Sequence, residues 1–333
     1  HRDIRNKLKE QAIQLKNEFP DYSPGLAIIQ VGDREDSNVY IRMKIKAAEE
    51  IGIKAQHIRY PKSFTQSQLL QEINKLNNDP TVHGMIVQLP LDSSQDIDSD
   101  LIVDSISKDK DVDGLTTASA GRLSHGTIQG GFLPCTPNGC MELIKRSGAK
   151  ISGATAVVLG RSKIVGTPMA ELLKWNHATV TTCHSRTVDI DKVCKSADIL
   201  VVGIGKPEYV KGSWVKPGAC VIDCGINSIP DASKKSGQRL VGDVDFKEVS
   251  EVASVITPVP GGVGPLTVAM LMQNTVISAQ RCAKSMRASK WDIRYSHLEL
   301  KSPVPKDIEI ARSQTPKDVS DLAIEIGVLP SEL

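Results

Sequence analysis

Ala154-Thr155-Ala156-Val157-Val158-Leu159-Gly160-Arg161-Ser162-Lys163-Ile164-Val165-Gly166 is the stretch on which the fold turns. A short, mostly apolar run ends at Leu159, a glycine follows, and the chain then takes up a helical pattern. A strand that turns through glycine into a helix presents unpaired N–H groups and the positive end of a helix dipole, which together favour an anion such as phosphate. The loop holds only part of the GxGxxG dinucleotide pattern, because Ser162 stands for the second glycine and the last glycine is displaced by one. Spacing alone leaves two readings: a phosphate cradle built on Gly160, Arg161 and Ser162, or a tight turn that binds nothing.

The next strand bears on which nucleotide the loop would take. A site for NAD places Asp or Glu at that strand's end to hold the ribose hydroxyls, whereas a 2′-phosphate needs cations and hydroxyls. Here the strand ends in Cys183-His184-Ser185-Arg186, without a carboxylate. Arg161, Ser185 and Arg186 can converge on a phosphate, so the pattern points to NADP. The plainer alternative is that Arg186 is a solvated surface charge.

Outward from this loop the same alternation continues. Ala178 to Thr182, Ile199 to Val202 and Cys220 to Asp223 are further apolar runs separated by helical or turn-rich sequence, a Rossmann-like pattern. Upstream, Ile4, Leu8, Ala12 and Leu15 form a helical stripe and Leu26 to Val31 reads as a strand. A helix capped by Ser37 runs to Glu50 and stops at Gly52, and strand and helix signals recur over Ile53 to Arg59 and Ser67 to Leu76. Gly84 to Gln88 is another short buried strand. The fold class is therefore α/β, with parallel sheets covered on both faces and sites at the carboxyl ends of the strands. Prolines and a glycine in Pro134-Cys135-Thr136-Pro137-Asn138-Gly139 set a boundary near Thr136. After Pro258-Val259-Pro260-Gly261-Gly262-Val263-Gly264-Pro265, a long apolar helix from Leu266 to about Lys284 returns to the first domain. Two α/β domains are expected, residues 1–135 with 265–287 and residues 136–264, followed by a proline-punctuated linker from 288 to 333.

Five features are candidates for chemistry, two on one helix face and three at strand ends or loops. Tyr40 and Lys44 are one helical turn apart and share a face. Gln88 ends a strand just before Pro90, Asp113 lies in Asp111-Val112-Asp113-Gly114, and the loop from Pro260 to Gly264 offers approachable backbone. An amide beside Lys44 can orient it, and a carboxylate suits a flat heterocycle with adjacent N–H donors. The bland counterparts are a solvated Lys44 and a turn residue at Asp113.

Composition limits the partners. Lys and Arg number 41 against 39 Asp and Glu, a formal charge of +2 in 333 residues, so no overall field recruits nucleic acid or an anionic membrane. No run approaches the about 20 apolar residues that span a bilayer. The seven cysteines show no CxxC spacing, which fits a reduced compartment, and Cys220 and Cys224 read as small core residues. His57, His83, His125, His177, His184 and His297 have no metal-ligand spacing, so no catalytic metal is expected, and there is no GxxxxGK[ST] loop.

The sequence resembles the bifunctional methylenetetrahydrofolate dehydrogenase/cyclohydrolase family over about residues 1–285. The motifs are Tyr40-Ile41-Arg42-Met43-Lys44, Val87-Gln88-Leu89-Pro90-Leu91, Lys110-Asp111-Val112-Asp113-Gly114, Gly160-Arg161-Ser162 and Pro258 to Pro265. The resemblance implies a folate domain, completed by the helix after Pro265, and an NADP-binding Rossmann-like domain, with a cleft between them. It implies oxidation of 5,10-methylene-tetrahydrofolate and hydrolysis of the methenyl product to the 10-formyl form. It further implies a homodimer, a cytoplasmic location and a place in one-carbon metabolism. By that likeness Lys44 activates the folate or the water, Gln88 tunes Lys44, Tyr40 stacks on the aminobenzoyl ring and Asp113 holds the pterin. Val87, Leu89 and Pro260, Gly261, Gly262, Val263 and Gly264 complete the folate-binding set.

The segment from Ser302 through Leu329 resembles the opening of a formyltetrahydrofolate synthetase domain, as in a trifunctional one-carbon enzyme. ATP-dependent formate ligation is not expected of these residues alone. Two competitors differ in class. A short-chain dehydrogenase also uses a Tyr-xxx-Lys pair, but its glycine loop precedes the pair, whereas Gly160 follows Lys44 by more than 100 residues. A cyclohydrolase-only or non-catalytic folate- or nucleotide-binding module is the other reading.

Overall fold

The computed structural model describes residues 1–19, 22–234, 237–288, 306–312, 316–326 and 328. The chain begins with α1 (Arg2–Glu18), β1 (Gly25–Val31), α2 (Glu35–Ile51), β2 (Lys54–Tyr60), α3 (Gln66–Asn78) and β3 (Gly84–Val87). The short helices α4 (Ser99–Asp104) and α5 (Thr117–Ser124) follow, then α6 (Cys135–Arg146), β4 (Thr155–Leu159), α7 (Gly166–Trp175), β5 (Thr179–Cys183), α8 (Ile190–Lys195) and β6 (Ile199–Val202). After β7 (Cys220–Asp223) come β8 (Asn227–Pro230), β9 (Gln238–Val241), α9 (Phe246–Ser250), β10 (Val255–Ile256) and α10 (Val263–Ala288). The first compact unit is His1–Ala279; in the second, Gln280–Leu333, the described elements include α11 (Asp307–Arg312) and α12 (Val319–Glu325). Residues 289–305, which take in the first part of the expected linker and His297, lie outside the described residues, whereas the synthetase-like opening is described over 306–312, 316–326 and 328, where α11 and α12 fall.

Two parallel sheets organise the first unit. One has the order β2-β1-β3 and the other β10-β7-β6-β4-β5. All seven residues of β1 are buried, as expected for a parallel strand covered on both faces. Alternate side chains of β1 enter different cores: Leu26 and Ile28 pack with α1, α2 and α10, while Ala27, Ile29 and Val31 pack with α3. The second sheet divides in the same way, Ala156 and Val158 of β4 facing α6 and α7, Val157 and Leu159 facing α8 and α9. Removal of one such Ile or Leu side chain from water contributes about 1.5–3 kcal/mol.

α6 and α10 link the cores. Cys135 at the start of α6 belongs to the first sheet's core, and Cys140, Met141 and Ile144 belong to the second's. α10 runs the other way, with Val263 in the second core and Val268 through Val276 in the first. The two helices touch where Gly139 faces Leu266, a Cβ there standing 3.2 Å from that of Leu266.

Several sequence expectations need correction. Ser37 is not the cap of α2: the helix starts at Glu35 with Arg34 at the cap, and Ser37 is buried in its first turn. The long helix starts at Val263 rather than Leu266, so Val263 and Gly264 are helical and the loop ends at Gly262. The boundaries placed near Thr136 and Pro265 fall in the first turns of α6 and α10. Proline is tolerated there because the N–H it lacks has no intrahelical partner anyway. The β8–β9 hairpin, β10 and the short helices α4, α5 and α9 are elements that the sequence patterns do not announce. Cys220 is a core residue as expected, while Cys224 is half-buried with its Sγ 3.4 Å from that of Cys140.

Candidate active site

In the sheet β2-β1-β3, the chain runs from β1 to one neighbour and then crosses to the other, so the switch point lies between β1 and β3. Ligands of open α/β sheets bind outside the carboxyl ends of strands at such a point. Gln88 sits there, directly after β3. Lys44 reaches it from α2, its Nζ donating to Gln88 Oε1 at 2.9 Å. Gln88 Nε2 donates to the Leu89 carbonyl at 3.0 Å, which fixes the amide with its oxygen toward the amine.

Asp113 completes the cluster. Burial holds the Lys44 amine below the ordinary lysine range, and the Asp113 carboxylate and then Cys135 oppose that shift. Burial likewise raises the Asp113 carboxyl, against the pull of Lys44, with Asp111 adding to the rise. An amine and a carboxyl group thus share a partly desolvated site, each biased toward its neutral form by burial and toward its charged form by the other.

The loop that presents Asp113 is held by its neighbour. Asp111 is buried and accepts from the N–H groups of Gly114, Leu115 and Thr116 and from the Thr116 and Ser119 hydroxyls, at 2.6–3.2 Å. Gly114 has φ +68°, and a Cβ there would stand 2.8 Å from the backbone carbon of Leu133. From α10, Asn274 Nδ2 donates to the carbonyls of Val112 at 2.8 Å and Leu133 at 3.1 Å. The Cys135 thiol donates to Val112 O at 3.3 Å, and burial keeps it protonated. None of Asp111, Asn274 or Cys135 stands out in the sequence as a site residue. Most of their partners are backbone groups, which leave no spacing signal.

Tyr40 is half-buried one turn before Lys44, and burial raises its phenol. Val87 is buried at the end of β3, with Leu89 half-buried just beyond Gln88. Pro260 and Gly261 are exposed, and Gly261 has φ +106° with open space where a side chain would stand. Among the described residues this loop makes no hydrogen bond to Lys44, Gln88 or Asp113. The Val263 side chain is buried in the second core.

The second sheet has its own switch point, between β4 and β6. Gly160 has φ +115°, and a Cβ there would stand 2.3 Å from the Gly203 carbonyl oxygen. A Cβ at Gly166 would stand 2.2 Å from the Gly160 oxygen, so the start of α7 packs directly on the loop. The Ser162 hydroxyl accepts from the N–H of Val165 at 3.2 Å and of Gly166 at 3.4 Å, shaping the turn into α7. Gly160 N donates to Cys183 O at 2.9 Å, which sets the loop beside the end of β5. Arg161, Ser185 and Arg186 are exposed there, and among the described residues neither arginine has a carboxylate partner. A loop closed tightly by Gly160 and Gly166, beside two arginines without a carboxylate partner among the described residues, fits a dinucleotide carrying an extra phosphate. Lys163, by contrast, is paired with Asp100 of α4.

Among the described residues no group of three or more His, Cys, Asp or Glu is placed to hold a metal ion. No described helix is long and apolar enough to cross a membrane.

Residues 1–113 match the family model of the tetrahydrofolate dehydrogenase/cyclohydrolase catalytic domain, and residues 134–283 match that of its NAD(P)-binding domain. The solved bifunctional methylenetetrahydrofolate dehydrogenase/cyclohydrolase of Campylobacter jejuni is 45% identical, with TM-score 0.79 over 84% of this chain and 95% of that one. The chain belongs to the tetrahydrofolate dehydrogenase/cyclohydrolase family. The Trypanosoma brucei member, solved with NADP cofactor and an inhibitor, is 41% identical with TM-score 0.81, over 86% of this chain and 96% of that one. Cytoplasmic C-1-tetrahydrofolate synthase from Rattus norvegicus is 58% identical over 330 residues, 99% of this chain. The Drosophila melanogaster protein of that name is 60% identical over 332 residues. The chain spans about a third of the length of these curated relatives, 35% and 34%. Family membership removes the short-chain dehydrogenase reading: the Tyr40–Lys44 pair lies on the first sheet's helix and the glycine loop on the second sheet.

Proposed function

We propose that this chain oxidises 5,10-methylene-tetrahydrofolate to the 5,10-methenyl cation with NADP and hydrolyses that cation to 10-formyl-tetrahydrofolate. The Lys44–Gln88 hydrogen bond beside Asp113 carries the reading, because it places a desolvated amine with a fixed orientation at a strand-end switch point. The folate-binding part is residues 1–135 with 265–287 and the NADP-binding part residues 136–264. Tyr40, Val87, Leu89 and the Pro260–Gly264 segment line the folate side; Gly160, Arg161, Ser162, Ser185 and Arg186 hold the nucleotide. The names of the relatives support a cytoplasmic enzyme, and we take it to act as a homodimer supplying formyl groups for purine biosynthesis.

NADP when bound supplies the hydride acceptor. The chain needs no strong base for that step, since the folate nitrogens stabilise the cation left behind. Hydrolysis makes a different demand, because water attacking the methenyl carbon must lose a proton. A Lys44 amine whose ionisation is lowered by burial can be neutral, donate one N–H to Gln88 and offer its lone pair to that proton. Asp113 accepts from the pterin's adjacent N–H donors while holding Lys44 in place by its charge.

Absorbance of the methenyl product tests this, with purified protein, methylene-tetrahydrofolate and either NADP or NAD, native against Lys44→Met. Acid quenching returns any formyl product to methenyl for counting. Turnover that prefers NADP and is lost in the variant is the expected result. Folded protein with no turnover on either nucleotide would leave only cyclohydrolase or binding.

A further inference from the structure

At the end of β7 in the second sheet, Asp223 meets Asp243, which follows β9, in a pair of buried carboxylates that the two proposed reactions leave unused. Asp243, with no exposed surface, accepts at Oδ2 from the N–H groups of Ile204 at 2.6 Å and Gly205 at 2.9 Å, and at Oδ1 from Asn227 Nδ2 at 2.8 Å. Its own N–H is held by Asp223 Oδ1 at 3.0 Å, and Asp223 Oδ2 accepts from Val244 N at 2.9 Å. A Cβ at Gly225 would stand 2.3 Å from the Asp243 carboxyl carbon, and one at Gly242 would stand 1.8 Å from Asp223 Oδ2. Both glycines are thus required for the pair to assemble.

The loop fixed by Asp243 is a wall of the nucleotide crevice. Gly203, Ile204 and Gly205 follow β6 directly, and the Gly203 carbonyl is the atom against which Gly160 packs. The backbone of residues 208–210 is tied to the same segment, Glu208 N to Gly242 O and Tyr209 N and Val210 N to Asp243 O. With their N–H groups held from behind by a carboxylate, Ile204 and Gly205 cannot turn those groups to a ligand. The loop then presents one fixed contour, set by the Asp243 side chain.

We propose that Asp243 is a positioning residue for the dinucleotide, fixing the Gly203–Gly205 wall opposite Gly160 with Asn227 as its orienting partner. This rests on the NADP-binding reading above. With no exposed surface and its oxygens taken up by Ile204, Gly205 and Asn227, Asp243 acts through the loop, so its effect is on nucleotide affinity and on the dehydrogenase step alone. Hydrolysis of methenyl-tetrahydrofolate, which needs no nucleotide, serves as the internal control.

An amide at 243 cannot serve both sets of donors as they stand, nor with the same strength. With its oxygen on Ile204 and Gly205, its NH2 faces Asn227, whose amide must turn to present its oxygen, and the charge that strengthens the bonds from all three donors is gone. Asp243→Asn is therefore expected to weaken NADP binding, read by titration calorimetry on the full chain, by about tenfold, one lost charge-assisted pairing, with hydrolysis of methenyl-tetrahydrofolate within about twofold of native. The double exchange Asp243→Asn with Asn227→Asp restores donor to acceptor and is expected to recover most of the affinity. Unchanged NADP affinity in Asp243→Asn would overturn the proposal, as would a parallel fall in hydrolysis or an absence of rescue in the double exchange. Should Asp243→Asn not fold, Asn227→Ala, which frees one carboxylate oxygen, is expected to weaken NADP about threefold with hydrolysis unchanged; no change in affinity there overturns it too. Native chain that hydrolyses methenyl-tetrahydrofolate but binds no NADP would remove the nucleotide reading itself, and this inference with it.

Discussion

Lys44 and Gln88 come from opposite sides of the β1–β3 switch point, and the 2.9 Å bond from the amine to the amide oxygen is their only hydrogen bond to each other. Gln88 stabilises the ammonium form more than the neutral amine, because a charged donor gains more from the same acceptor. Gln88→Leu leaves the half-buried amine without that acceptor, at a cost of about 1–3 kcal/mol. The kcat/KM for methenyl hydrolysis is expected to fall about 10- to 100-fold. The lysine's ionisation should drop further, moving the rising limb of the pH profile to lower pH. A profile unmoved in Gln88→Leu would mean that Gln88 acts on substrate and not through Lys44.

Asp113 acts on the same amine with the same sign. Its carboxylate is the largest influence opposing the burial that lowers Lys44. Asp113→Asn removes that charge, so the pH at which Lys44 gives up its proton falls. The expected outcome is a weaker KM for folate together with a hydrolysis profile shifted toward acid. A shift toward alkali in a steady-state pH series would contradict the arrangement of the two groups.

Arg186 follows the end of β5 and has no carboxylate partner among the described residues. A guanidinium facing a 2′-phosphate forms charge-assisted hydrogen bonds worth about 1.5–3 kcal/mol, whereas NAD offers it no phosphate there. Arg186→Ala is expected to raise the KM for NADP about tenfold or more and that for NAD about twofold or less. Equal losses for both nucleotides in initial-rate assays would count against a phosphate role.

The parts of this architecture that are legible in the sequence are those written in apolar continuity. β1, β3, β6 and β7 are buried on both faces, so their runs of Val, Ile and Leu stand out, and β6 and β7 begin and end where the apolar runs do. Lys44 in a helical turn, Gln88 at a strand end and Asp113 in the turn before Gly114 are visible as candidates, but spacing leaves each a bland reading and their roles come from the family resemblance. The β8–β9 hairpin is hidden because its strands are short and mostly exposed. The true start of α10 is masked because Gly264 and Pro265 read as loop, although both fit a helix's first turn. Asp111, which binds the N–H groups of the turn just after it, reads as any turn carboxylate, while Asp223 and Asp243 escape notice because most of the backbone N–H groups they bind are brought together by the fold. The remaining trace of the last two is that each carboxylate has a glycine close by, in Asp223-Cys224-Gly225 and Gly242-Asp243.

Asp223 makes stability depend on pH in an unusual direction. Burial raises its carboxyl to about 6, partly offset by three backbone N–H groups and reinforced by the neighbouring Asp243. The unfolded chain releases this proton near its ordinary value of 3.8. Between those two points the folded state holds a proton that the unfolded state has lost, so this group's contribution is fully present below about pH 4 and is lost as pH rises through about 6. Across that interval the difference in proton affinity is worth about 3 kcal/mol. Asp223→Asn cannot titrate, and it sets an NH2 against one of the N–H groups of Asp243, Gly225 or Val244, so it destabilises the chain at every pH. Its destabilisation should be larger at pH 4.5 than at pH 7.5 by about 2 kcal/mol, since only the native chain carries the proton-linked contribution. Urea denaturation of both proteins at the two pH values checks this. A deficit that grows toward pH 7.5 would show that the Asp223 carboxylate is held ionised by its N–H partners and that burial is the lesser force.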